Sequence, residues 1–251
     1  MAALAISRGA ANAGTITVRP GTYANGCTLD FLFTAGDGNR YIGTAGHCFV
    51  DDGQEHSWPA GDGPTVTAGG EEIGHAVYAV WNQSALNPLP VDGDPTVPAM
   101  DFALVRIAPS VASDPQVCYF GGPTGVNTDD ASEAIIVHYY GNGEGVGMIQ
   151  ETGTPVLPAR TGIATGFEDA RVLKLLGPIS SGDSGMPIVD EQGRAVGLLS
   201  HLGSPVGSFL IPVSRLAPRV QRAEEVLGLT LTLQTAPLTP NALPIGIDPC
   251  L

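Results

Sequence analysis

The stretch SSGDSGMPIV, residues 180–189, sets Ser184 between an aspartate and a glycine, with Gly182 just ahead of the aspartate. A serine hydroxyl is a poor nucleophile until a base removes its proton, and the base works best when a third group fixes its tautomer. Histidine occurs at positions 47, 56, 75, 138 and 201. His47 stands apart because it lies in IGTAGHC, after a strand-like run and directly before Cys48, where a cross-link would pin its backbone. Asp101, in AMDFALVRI, opens an apolar strand, a costly place for a carboxylate unless a partner compensates. The chemistry in view is attack by Ser184, with His47 as base and Asp101 orienting it. Singly, GDSG suits an ordinary tight turn, His47 a satisfied core histidine and Asp101 a strand-end cap. Three such motifs in order, each beside a strand, make coincidence a poor explanation.

The segments YIGTAGHC, DFALVRI and SGDSGMP run His, Asp, Ser, with gaps of 54 and 83 residues between the key side chains. In that order they resemble the chymotrypsin-like serine peptidases. Subtilisin-like chains run Asp, His, Ser, and α/β-hydrolases run Ser, Asp, His around a GxSxG elbow. GCTLDFLF followed by TAGHC, with no pancreatic-type activation sequence, is similar to secreted bacterial members such as the streptogrisins. The resemblance spans about residues 15–215.

That resemblance implies Ser184 as nucleophile, His47 as general base and then acid, and Asp101 as its orienting partner. The N–H groups of Gly182 and Ser184 would form an oxyanion hole, where losing one donor typically costs about 2.7–4 kcal/mol of transition-state stabilisation. Gly182 would let the backbone approach substrate with no Cβ in the way. Cys27 would bridge to Cys48, leaving Cys118 and Cys250 as a second pair. Asp183 would meet a freed amine or an arginine, for which Arg160 and Arg171 are open choices. A substrate pocket would be lined by Gly177, Pro178, Ile179, Ser180 and Ser181, by Leu199, Ser200, His201, Leu202 and Gly203, and by residues 207–209.

None of these lining residues is acidic, so a buried P1 cation would lack a counter-charge and an apolar or small P1 is expected. Ser181, Ser200 and His201 offer an alternative, a polar set that accepts a glutamate carboxylate as in glutamyl endopeptidases. Two departures from the family pattern are Met186, where a small residue is usual, and the lack of cysteines to brace the pocket. A catalytically silent member kept for binding is the reading from a different class, against which the intact His47, Asp101 and Ser184 argue.

These side chains need a scaffold of short strands. Runs such as LDFLF, RYIGTAG, HAVYAVW, DFALVRI, EAIIVHYY, RVLKLL, MPIVD, AVGLLSHL and SFLIPV alternate with clusters of Gly, Pro, Asn and Asp. With 34 glycines and 21 prolines in 251 residues, this reads as an all-β chain. The expected fold is two antiparallel β-barrels of the chymotrypsin type, a C-terminal α-helix and an extended tail. The expected organisation is a flexible segment over 1–14, a first barrel with His47 and Asp101 over 15–112, a second with Ser184 over 113–213, and the helix and tail over 214–251. The turn Glu191–Gly193 predicts a hairpin. Leu216, Val220, Ala223 and Leu227 carry the one helical period, starting near Pro218 and stopping at Gly228. The tail from Thr230 is expected to run along the surface.

Eleven basic against 25 acidic residues give a formal charge of -14, which repels nucleic acid and anionic lipid. No apolar run reaches the 18 residues of a membrane span. Four cysteines without CxxC spacing favour disulfides over zinc, and hence secretion. The expectation is a secreted monomer acting on polypeptides, with no metal, no cofactor and no nucleic-acid or membrane partner.

Overall fold

Short apolar runs between turn residues cannot bury much surface alone, so they pair, and the pairings divide the chain into two halves. The computed structural model describes residues 16–81, 101–129, 133–144, 146, 157–166, 172–200 and 211–239. In the first half lie β1 (Thr17–Val18), β2 (Tyr23–Ala24), β3 (Cys27–Thr28), β4 (Leu32–Ala35), β5 (Arg40–Thr44), β6 (Glu55–Ser57), β7 (Thr65–Ala68), β8 (Glu71–Trp81), β9 (Asp101–Ile107) and β10 (Ala112–Ser113). The second half contributes β11 (Ile135–Tyr140), β12 (Ala159–Gly166), β13 (Val172–Leu176), β14 (Pro187–Asp190), β15 (Ala195–Leu199) and β16 (Ile211–Arg215). Helix α1 (Leu216–Leu227) and strand β17 (Leu231–Leu233) follow.

The second half is a closed six-stranded barrel in the order β11-β12-β13-β16-β15-β14. Its interior holds Val137, Tyr139, Leu175, Ile188, Val196, Leu199 and Val213. Met186 is fully buried in that core, so its bulk fills the barrel and not a substrate subsite. The first half is a seven-stranded sheet in the order β17-β4-β5-β9-β8-β6, with β7 also on β8; no pairing among the described residues closes it. A shared core joins the halves, with Phe31, Phe33, Tyr78, Phe102 and Leu104 of the first meeting Val189, Ala195, Leu198 and Leu216.

DFALVRI forms β9 over its whole length, and β14 and β15 make the expected hairpin, its turn carried by Gly193 at φ +75°. Helix α1 starts two residues before the expected Pro218, because a proline in the first turn lacks only an N–H that has no intrahelical acceptor there. It stops at Gly228, whose left-handed φ of +65° suits a residue without Cβ. Its Arg222 reaches Glu55 of β6 at 2.6 Å, and Tyr78 donates to the same carboxylate at 2.7 Å. Two elements differ from the expectation. ARTGIATG, with two glycines and no long apolar run, forms β12 by pairing with strands on both sides. The tail, expected to run along the surface, pairs antiparallel with β4 as β17.

Asp30, between β3 and β4, is fully buried, and among the described residues neither carboxyl oxygen has a hydrogen-bond partner. It packs beside Gly43, where a Cβ would stand 3.3 Å from Oδ2 and 3.0 Å from the Phe102 ring. Burial raises its pKa well above the ordinary carboxylate value, the nearby Phe31 N–H acting the other way without completing a hydrogen bond. An acid whose pKa is higher folded than unfolded contributes stability below its unfolded value and loses it as pH rises toward the folded one. Thermal unfolding followed as pH rises above the ordinary carboxylate range should therefore show wild type losing up to about 1.4 kcal/mol per pH unit through this group, a slope that Asp30→Asn removes. Equal pH slopes for the two proteins would refute the assignment.

Candidate active site

After β5 the chain makes a single 3-10 turn, Gly46–Cys48, which presents His47. A Cβ on Gly46 would collide with the Val80 carbonyl, so glycine lets the turn press onto β8. The Cys27–Cys48 disulfide ties the next residue to β3, as the resemblance implied. The Trp81 ring lies 5.7 Å from the His47 ring, tilted by 56°.

Asp101, the first residue of β9, holds His47 at two points. Its Oδ1 accepts the His47 backbone N–H at 3.1 Å, and its Oδ2 lies 2.8 Å from Nδ1. A carboxylate only accepts, so Nδ1 carries the proton and the lone pair of a neutral ring sits on Nε2. The Ser200 hydroxyl donates to Oδ2 in a third, short hydrogen bond. Burial acts to raise the Asp101 pKa. The hydrogen bond and charge of His47, the Ser200 hydroxyl and the His47 backbone N–H outweigh it and leave the carboxyl below its ordinary range.

The Ser184 turn is fastened on both sides. Behind it, the fully buried Asp183 takes both arms of Arg160, at 2.5 and 3.0 Å, and the N–H groups of Ser180 at 2.6 Å and Gly143 at 3.3 Å. Arg160 is thus the partner the sequence left open; Arg171 lies outside the described residues. In front, Thr28 donates its N–H to the Ser184 carbonyl and its hydroxyl to the Gly182 carbonyl, both at 2.8 Å, while Thr44 donates to the Thr28 carbonyl at 2.9 Å. Gly185, at φ +86°, fits so closely that a Cβ would collide with the Thr28 carbonyl and stand 2.8 Å from Ala45 N. Ser184 therefore sits beside the end of β5 that leads into the His47 turn. On the other flank, Gly185 N–H donates to the Leu199 carbonyl at 2.7 Å, next to Ser200.

Gly182 adopts φ +85°. Asp183, Gly185 and Met186 all donate their N–H groups within the protein, whereas among the described residues none accepts from the N–H of Gly182 or Ser184. One turn thus carries two backbone N–H groups with no acceptor among the described residues, next to the end of β5 that leads into the His47 turn.

Of the other residues singled out, Ile179 packs on the barrel core, Ser180 is buried, and the Pro178 carbonyl accepts from the Tyr139 hydroxyl at 3.2 Å. Ser181 bonds Glu144 N–H through its carbonyl. His201, Leu202, Gly203 and residues 207–209 lie outside the described residues. Cys118 is disulfide-bonded, and its expected partner Cys250 lies outside them too. Sequence reasoning assigned Ser200 to substrate and missed its bond to Asp101, and it overlooked Thr28 and Thr44. A serine at the end of an apolar strand and two threonines flanking the disulfide were the available signals.

A family model described as the trypsin-like peptidase domain matches residues 31–198. No curated protein matches the chain. Among solved structures, Thermobifida fusca Protease A aligns with a TM-score of 0.51 and 18% identity over 87% of this chain and 100% of its own. A glutamic-acid-specific serine protease with a histidine triad in substrate binding aligns at 0.50 and 17%, over 86% and 100%. Nocardiopsis protease aligns at 0.50 and 16%, over 86% and 99%. At such identities the likeness is one of fold.

Breaking a buried ion pair by removing one partner leaves an uncompensated charge. Arg160→Met should cost about 3–5 kcal/mol in urea unfolding, and adding Asp183→Asn should restore part of it. Effects that simply add in the double variant would show that the two residues do not act as a pair.

Proposed function

The chain belongs to the trypsin-like peptidase family as a serine endopeptidase, and we propose that it cleaves polypeptides through Ser184, His47 and Asp101. In this reading His47 Nε2 takes the Ser184 proton as the hydroxyl attacks the scissile carbonyl. The N–H groups of Gly182 and Ser184 then receive the oxyanion, and His47 returns the proton to the leaving amine. Water repeats the sequence on the acyl-enzyme. The observation that carries the reading is the two-point hold of Asp101 on His47, which fixes the base's tautomer and orientation at once.

We assign an apolar or small P1 preference, because the pocket-lining residues carry no acid to meet a cation. The glutamate alternative relied on Ser181, Ser200 and His201. Of these, Ser200 already directs its hydroxyl proton to Asp101, which removes a donor from any substrate carboxylate. We also assign the protein to an oxidising, extracellular compartment, on the strength of the Cys27–Cys48 disulfide. No helix among the described residues is long and apolar enough to cross a membrane.

A fluorophosphonate probe should label wild type and fail on Ser184→Ala; a folded wild type that stays unlabelled would support the silent binding class instead. Asp101→Asn should lower kcat by about 10^4-fold through the wrong histidine tautomer, with far less effect on KM. Because the Asp101 carboxyl is held below its ordinary range, a pH profile of kcat/KM should show no step from this carboxyl within the ordinary carboxylate range. Profiling with proteome-derived peptides should give cleavage after apolar or small residues, and cleavage concentrated after Glu would restore the alternative.

A further inference from the structure

The Gly182 turn has a neighbour that the reaction itself does not use. A Cβ on Gly182 would stand 2.9 Å from the Tyr23 ring, 3.0 Å from Gly143 Cα and 3.2 Å from Glu144 N. The β2–β3 hairpin and the segment 143–144, one from each half of the molecule, therefore meet over the turn that carries Ser184. Glu144 is anchored there by its N–H to the Ser181 carbonyl at 2.8 Å, and the turn continues with Val146 N–H to the Gly143 carbonyl at 3.0 Å. The Tyr23 hydroxyl donates to Glu144 Oε1 at 3.2 Å. The carboxylate itself is exposed, and among the described residues no cation pairs with it.

Which part of a substrate passes this point follows from the mechanism proposed above, on which the inference rests. The acyl half ends in the pocket lined from Gly177 to Ser181. The leaving amine takes its proton from His47, so the chain beyond the scissile bond runs over the wall that adjoins both the oxyanion donors and the His47 turn. That wall is the β2–β3 hairpin. Its Thr28 bonds the carbonyls of Gly182 and Ser184, its Cys27 is bridged to Cys48, and its Tyr23 lies against Gly182.

We propose that Glu144, held by Tyr23 beside the Gly182 turn, selects substrates with arginine or lysine at one of the first two positions after the scissile bond. Tyr23 occupies Oε1 and leaves Oε2 for a substrate guanidinium or ammonium group. The site is rigid where it matters, since the backbone of Glu144 is fixed to the same turn that binds the oxyanion. The exposure of the carboxylate limits the size of the preference, because solvent and salt screen such a pair.

The test uses quenched peptides that share one P1 residue and differ only in carrying Arg, Gln or Glu at P1′ or P2′. In wild type, kcat/KM should favour Arg over Glu by about threefold to tenfold at one of these positions, and the ratio should shrink as salt rises from low to high. Glu144→Gln should bring the ratio close to one while leaving the Gln peptide's kcat/KM unchanged, Glu144→Lys should invert it, and Tyr23→Phe should reduce it. An active, fluorophosphonate-labelled wild type that is indifferent to these charges overturns this inference alone. So does a Glu144→Gln enzyme that loses rate equally on all three peptides, which marks a merely structural residue. A wild type that neither cleaves nor takes the label overturns the proposed function and this inference with it.

Discussion

The carboxylate of Asp101 is the constraint around which the site is organised. A buried charge is tolerable only when its oxygens are met by donors, and the donors here come from two places. His47, in the turn after β5, supplies a ring nitrogen and a backbone N–H; Ser200, just past β15, supplies a hydroxyl. The first belongs to the half built around the seven-stranded sheet and the second to the closed barrel. Satisfying this one group therefore requires the two halves to dock, and docking at the same time orients the histidine.

Asp183 repeats the logic within the second half. Its charge is met by both arms of Arg160 and by two backbone N–H groups, and the result is a rigid base for the Ser184 turn. Thr28 fastens the front of that turn to the first half, and Gly185 permits an approach that any Cβ would block. Asp30 is the contrast. It is buried beside Gly43, and among the described residues no hydrogen bond meets its carboxyl, so its pKa is raised where that of Asp101 is lowered. Two carboxyl groups with equal burial thus have their pKa values shifted in opposite directions, and the difference lies in their partners.

Around these polar anchors the apolar core is continuous. Aromatic residues from β4, β8 and β9 pack on Val189, Ala195 and Leu198 of the barrel, and Leu216 and Ala223 of α1 close the same cluster. Helix α1 leads from the last barrel strand back to the first sheet, where β17 adds an edge strand to β4. The chain's C-terminal part thereby holds on to both halves, and the clamp from Arg222 to Glu55 adds a polar tie at the far edge of the sheet.

What could be read from the sequence was what local chemistry writes locally. GHC, a lone aspartate at the head of an apolar strand and GDSG each carry their meaning within a few residues, as do the Gly193 hairpin and the helix stop at Gly228. The choice of Arg160 over Arg171, the bond from Ser200 to Asp101, the burial of Met186, strands β12 and β17 and the neighbourhood of Tyr23 with Glu144 were not legible in this way. Each depends on residues tens to more than a hundred positions apart, and on strand partners that a weak, glycine-containing run such as ARTGIATG does not announce. Residue type and short spacing determined which groups are candidates for chemistry; tertiary structure alone decided which buried charges meet donors, because desolvation and hydrogen bonding depend on three-dimensional surroundings that no short stretch contains.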